Sequence, residues 1–326
     1  MQKLLFLLTF LLILNIGYSQ FKNLKDKVLG DKSPIGSLVK KPPAISTNFD
    51  DDVKMEGSLP ADFGNDKEYF PLYNARRSAS DGFVLCPGFY EMTNMSYCLK
   101  AGTYGPSAGD GYMYAPTVGK MDDIINAILY AHETQHAEIP QRDVQVLLWA
   151  IIAKAKFKNL GGKTKLVAGL LLTPQQIVKL NGGMVETLGD EALSRNLVDL
   201  PAPVRAVMEA ENKIRSMVES GIDDFEAFER VAIMAGMAPN DHPEVVRGMW
   251  ALHPDEYYIR YMPSGYSRTH VQIYVPENKG EVLYNAIGTI ACPANTGAQR
   301  LAQTNIKIAT SDGKAADPCN ATALIK

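Results

Sequence analysis

Tyr257-Tyr258-Ile259-Arg260-Tyr261 and His270-Val271-Gln272-Ile273-Tyr274-Val275 lie on either side of Pro263-Ser264-Gly265. Alternating side chains around a turn signal of this kind predict a β-hairpin. Upstream of Trp250 the period is different. Ile124, Ile125, Ile128 and Leu129 recur at helical spacing, as do Val144, Leu147, Leu148, Ile151, Ile152 and Ala155, with Pro140 near the start of the second set and Gly161-Gly162 beyond its end. Thr173-Pro174 opens a shorter helix, and Pro203 to about Ser220 reads as an amphipathic one. Asp223 with Glu226 forms a capping-box pattern ahead of Phe225 and Phe228, with Gly236 as a stop. Farther upstream, Gly82 to Cys86, Phe89 to Met92 and Met95 to Leu99 read as short strands, and a glycine-rich loop follows from Gly102 to Gly111. The expected class is α+β: short N-terminal strands, a central helical block, and a C-terminal β-hairpin pairing with the first strands.

Around that domain, placed at 81–292, three other segments are expected. Residues 1–19 read as a signal peptide: Lys3, then Leu4 to Leu14 with Thr9 as the only polar residue, then Gly17 and Ser19 before a cut at Gln20. Such a run, at about 1.5 Å per residue, is too short to span a hydrocarbon core, so no stable membrane span is expected once it is removed. Residues 20–80 mix Lys40-Lys41-Pro42-Pro43 with Asp50-Asp51-Asp52 and read as an extended leader or linker. Residues 293–326 read as a loosely packed polar tail. The predicted destination is outside the cytoplasm: secreted, cell-surface or periplasmic.

Of the 326 residues 46% are hydrophobic, enough to bury a core and to exclude a wholly disordered chain. With 33 Lys plus Arg against 36 Asp plus Glu, the net charge of -3 gives no positive field to recruit nucleic acid. Export lets cysteines pair, and Cys86, Cys98, Cys292 and Cys319 allow three connectivities, of which Cys86 with Cys98 and Cys292 with Cys319 is the plainest. A purely structural secreted protein with disulfides is one reading of the chain. Asn94-Met95-Ser96 and Asn320-Ala321-Thr322 fit the glycosylation pattern. Gly161-Gly162-Lys163-Thr164 lacks the earlier glycine of a phosphate-binding loop and reads as a helix stop.

Two patterns carry chemistry. His132-Glu133-Thr134-Gln135-His136 matches H-E-x-x-H, which on a helix stacks two imidazoles for zinc and leaves the Glu as base toward metal-bound water. A zinc metallopeptidase would take His132, His136 and Glu186 as ligands and Glu133 as its catalytic base; Pro140 follows closely and interrupts the helix. The second pattern is Tyr97-Cys98-Leu99 at a strand end, the helix Ile125 to Tyr130, and Gln145-Val146-Leu147-Leu148-Trp149-Ala150-Ile151 on the next helix. Residues 95–152 in this order resemble the thioester domain of bacterial surface adhesins, and other stretches look like an uncharacterised family of exported bacterial proteins. The resemblance implies Cys98 as thiol, Gln145 as acyl donor and Trp149 as shield of an internal thioester. It also implies covalent capture of protein amines on a cell or host surface, with no cofactor and no turnover. A thiol attacks an unactivated carboxamide only when proximity and dryness substitute for activation. On one helix Gln145 and Trp149, four apart, share a face.

Overall fold

The computed structural model describes residues 43–79, 81–182, 202–309 and 315–322. The signal-peptide reading of residues 1–19 and the candidate ligand Glu186 lie outside the described residues. The chain is α+β, with helices packed on a mainly antiparallel sheet.

A short helix α1 (Phe49–Asp52) and strand β1 (Phe70–Pro71) precede β2 (Phe83–Leu85) and the long β3 (Gly88–Cys98). Phe89 to Met92 and Met95 to Leu99, expected as separate strands, belong to one strand that ends at Cys98. Then come β4 (Thr103–Tyr104), β5 (Tyr112–Pro116), and helices α2 (Asp122–Thr134), α3 (Gln141–Ile152), α4 (Gly162–Leu171), α5 (Pro174–Gly182), α6 (Ala202–Glu219) and α7 (Phe225–Ala232). Asp224 caps α7 by accepting from the Ala227 N–H, one position after the Asp223 of the expected capping box. Strands β6 (Ile233–Met234), β7 (Ala251–Leu252), β8 (Tyr258–Pro263), β9 (Arg268–Val275), β10 (Val282–Tyr284), β11 (Thr289–Pro293) and β12 (Leu301–Ala309) complete the sheets, and α8 (Pro318–Thr322) follows.

The main sheet has eight strands ordered β5-β11-β12-β3-β9-β8-β7, with β1 added parallel to β3, and its ends approach each other as in a nearly closed barrel. The hairpin β8–β9 pairs through β9 with β3, from Gly88 opposite Val275 to Met95 opposite Arg268. On the other side of β3 lies β12, with Leu301 opposite Cys98.

Two boundaries differ from the sequence reading. The expected loose tail from 293 onward supplies β12, an inner strand whose Leu301, Ala302, Gln303 and Thr304 are buried. Part of the expected leader is likewise built in: Ile45, Phe49, Phe70 and Leu72 are buried in the core, and Leu59 bridges to Trp250. The cysteine pairing differs too. Cys86 is bonded to Cys319, while Cys98 and Cys292 are free and buried.

Helix α3 sits in the middle of the helical block, touching α4, α6, α7 and β3. That position explains its composition. Every residue from Asp143 to Ile152 is buried, so the helix is apolar nearly all round and the polar exceptions have specific partners.

Candidate functional site

β9 stops pairing at Met95, yet β3 runs on to Cys98 and would leave backbone groups unpaired on that edge. Side chains from α3 take the place of the missing strand. Gln141 Nε2 donates to the carbonyls of Ser96 (3.0 Å) and Ser267 (2.9 Å). One turn later Gln145 does the same for Cys98: the Cys98 N–H donates to Gln145 Oε1 at 2.9 Å, and Gln145 Nε2 donates to the Cys98 carbonyl at 2.9 Å. The four-residue spacing puts both glutamines on one helix face, and that face lies along the strand edge. Both groups of the Gln145 amide are satisfied, which is the condition for a carboxamide to be 1% exposed.

The structure therefore brings Cys98 and Gln145 together. The Cys98 sulfur is wrapped by the turn that follows it, 3.0 Å from the Lys100 carbonyl and 3.4 Å from the Lys100 N. Gly102 makes this turn possible: its φ is +68°, and a Cβ there would meet Ala206 O at 2.6 Å. Burial pushes the Cys98 thiol up to about 11, against weaker opposing pulls from the Lys100 backbone, Trp149, Arg300 and Lys100 charge. Trp149 is fully buried, stacked on Phe225 (ring centroids 5.9 Å apart) and tilted against Tyr266 (6.1 Å). Among the described residues its indole N–H has no hydrogen-bond partner.

The H-E-x-x-H residues are arranged differently. Helix α2 ends at Thr134, so His136 lies past the helix, where its Nδ1 is 3.0 Å from Glu138. His132 is 1% exposed and uses both ring nitrogens: Nε2 donates to the Ile139 carbonyl (2.9 Å), and Nδ1 faces the Tyr97 hydroxyl (3.1 Å). Burial lowers its basicity below that of an ordinary imidazole. Glu133 turns toward β12, accepting from the Asn305 backbone N–H (3.0 Å) and Nδ2 (3.2 Å), and burial raises its carboxyl above the usual range. Among the described residues no group of three or more His, Cys, Asp and Glu stands where it could hold a metal ion. Dialysis of the folded protein against a chelator is expected to leave its thermal unfolding unchanged, checked by calorimetry; a large drop would mean a bound structural metal.

A further group at the site had no sequence signal beyond adjacency. Lys100, two residues from Cys98, is half-buried with Nζ 3.3 Å from the Thr296 carbonyl. Burial first, then the Arg300 charge, pushes its amine down to about 8.

Neither a family model, nor a curated protein, nor a solved structure matches this chain.

Proposed function

We propose that this chain is an exported interaction module that captures amines covalently through an internal thioester joining Cys98 Sγ to Gln145 Cδ. The observation that carries the reading is the two-point attachment of the Gln145 carboxamide to the backbone of Cys98 itself, at 2.9 Å for each bond. Those hydrogen bonds do more than hold the amide. The Cys98 N–H is already directed at Oε1, where negative charge develops when sulfur adds to the carbonyl carbon, and a donor so placed lowers that barrier. The Cys98 carbonyl meanwhile orients Nε2, the atom that departs as ammonia.

Burial supports the same reading. Cys98 and Trp149 are both inaccessible to solvent, so hydroxide is kept from the acyl carbon while Trp149, stacked under Phe225, closes the site. An amine that displaces Trp149 receives the acyl group, the sulfur leaves, and a stable amide joins the module to its target. Surface lysines of a cell or host protein have the required chemistry. The Cys86–Cys319 bond is in keeping with an oxidising compartment.

Intact mass of the unreduced mature chain tests this. The expected mass is that of the sequence less one disulfide's hydrogens and less one ammonia; methylamine should add its full mass at Gln145. Cys98→Ala should keep the ammonia and ignore methylamine. A wild-type mass lacking only the disulfide hydrogens would overturn the reading and leave a structural secreted protein.

A further inference from the structure

Helix α4 turns a crest of leucine toward solvent. Leu166 and Leu170, one turn apart, are 69% and 53% exposed, while Thr164, Val167, Ala168 and Leu171 of the same helix are buried. The space over the crest is open, since a Cβ at Gly169, on the same face, would meet nothing within 4 Å. Val178 of α5 is 69% exposed as well. Apolar side chains scattered singly over a surface are ordinary, but these two leucines stand in a row. The charge beside them has one sign. From Val144 to Gly182 the chain carries six lysines and neither Asp nor Glu. Lys163 is neutralised by Asp143 and Lys179 by Asp123, each at 2.7 Å. Lys154, Lys156, Lys158 and Lys165 make no ion pair among the described residues. Lys165 Nζ lies 3.3 Å from the Lys158 carbonyl, and the Lys158 N–H donates to Asn181 Oδ1 of α5 at 2.9 Å. Those bonds tie α4, α5 and the lysine-bearing turn after α3 into one surface. A carboxylate does reach this turn, that of Glu219, and it is held by Asn159 Nδ2 at 3.1 Å.

We propose that this surface docks the protein on an anionic phospholipid bilayer, with Leu166 and Leu170 entering the acyl boundary and Lys154, Lys156, Lys158 and Lys165 meeting the headgroups. Charge complementarity selects the partner. Leucines beside lysines that lack acidic partners suit a surface that is anionic outside and hydrocarbon beneath. A soluble polyanion would engage the lysines and leave the leucines in water. The mode is docking in the plane of the interface. Helix α4 has 10 residues, about 15 Å at 1.5 Å per residue, and no described helix is long and apolar enough to cross a membrane. The lysine stems lie along the apolar zone while their amines stay at headgroup level. This inference is independent of the thioester, whose residues lie on β3 and α3.

The test is cosedimentation of the full mature chain with vesicles of equimolar phosphatidylglycerol and phosphatidylcholine. Wild type should bind these, should release them in about 1 M salt, and should ignore vesicles of phosphatidylcholine alone. The double variant Leu166→Ser, Leu170→Ser should weaken binding by about a hundredfold, and Lys158→Gln with Lys165→Gln by about twentyfold. All four side chains are exposed, and circular dichroism checks that the variants fold; the salt and lipid dependence of wild type decides the matter without them. Cys98→Ala, which can form no thioester, should bind vesicles as wild type does, so loss of either reading leaves the other standing. Equal binding to neutral vesicles, wild-type binding by the leucine variant, or equally tight binding to soluble polyphosphate would overturn the proposal. So would self-association in the absence of lipid that Leu166→Ser abolishes, since the crest would then belong to a second copy.

Discussion

Gln145→Glu is expected to abolish amine capture completely and to make the fold pH-sensitive. The carboxyl group has no ammonia to release and only hydroxide, a poorer leaving group, in its place, so no thioester forms and methylamine adds nothing to the intact mass. The structural effect comes from the same contacts. Gln145 Oε1 accepts from the Cys98 N–H and Nε2 donates to the Cys98 carbonyl. Glutamate can keep the first bond, but its second oxygen then faces a carbonyl with no proton between them. The variant's carboxyl is thereby held protonated in the folded state, above its unfolded value of about 4.3. The sign follows from linkage. Below about pH 4 both folded and unfolded chains carry the proton and the penalty is absent; as pH rises the unfolded chain ionises first and stability falls, levelling once the folded group ionises too. At neutral pH the loss should be about 3 kcal/mol, the linkage cost of keeping the proton over about two pH units in which the unfolded chain gives it up. Denaturant unfolding at pH 4 and pH 7 measures it, and a variant that still captures methylamine would remove Gln145 from the chemistry.

Cys98, Gln145 and Trp149 were legible in sequence, and the resemblance implied that the first two meet, but the form of the contact, a side-chain amide on the strand backbone, was not. Gln145 and Trp149 stand out because they interrupt or enlarge an otherwise aliphatic helix. That Gln145 completes a strand edge depends on where β9 stops, a property of tertiary register that no local pattern encodes. Helix α3 and the β8–β9 hairpin were readable because packing imposes a period on them. Strand β12 was not: its buried Gln303, Thr304 and Asn305 are polar, and Asn305 is satisfied by Glu133, so the alternation that marks a strand is absent. Residues 43–79 escaped for a related reason. Their anchors Ile45, Phe49, Phe70 and Leu72 are scattered and each finds a distant partner, which composition reads as linker. H-E-x-x-H shows the converse. His132 has the same residue type whether it binds a metal or bridges Tyr97 and Ile139, and only the fold distinguishes the two.

Removing the Cys86–Cys319 bond should destabilise the fold while leaving the site chemistry untouched. The bond closes a span of 233 residues, and chain entropy for so long a loop sets a ceiling of about 5 kcal/mol. The realised loss depends on what the bond holds. Cys86 is secured independently, since the Tyr90 hydroxyl bridges its N–H (2.9 Å) and carbonyl (2.8 Å). Cys319 lies in the short helix α8, where Pro318 packs so closely on Gly88 that a Cβ there would stand 2.7 Å from the ring. Without the bond, residues 315–322 should therefore detach at a cost below that of global unfolding, giving a loss of about 3 kcal/mol and fast amide exchange confined to that segment. Counting thiols under denaturing, non-reducing conditions ties this to the site. The chain has two cysteines outside the disulfide, Cys98 and Cys292. With Cys98 acylated by Gln145 only Cys292 should react, and methylamine treatment should expose the second thiol. The double variant Cys86→Ser, Cys319→Ser should give the same two counts before and after methylamine, because the acyl bond depends on β3 and α3 rather than on the tether. Two reactive thiols before any methylamine would mean that Cys98 carries no acyl group.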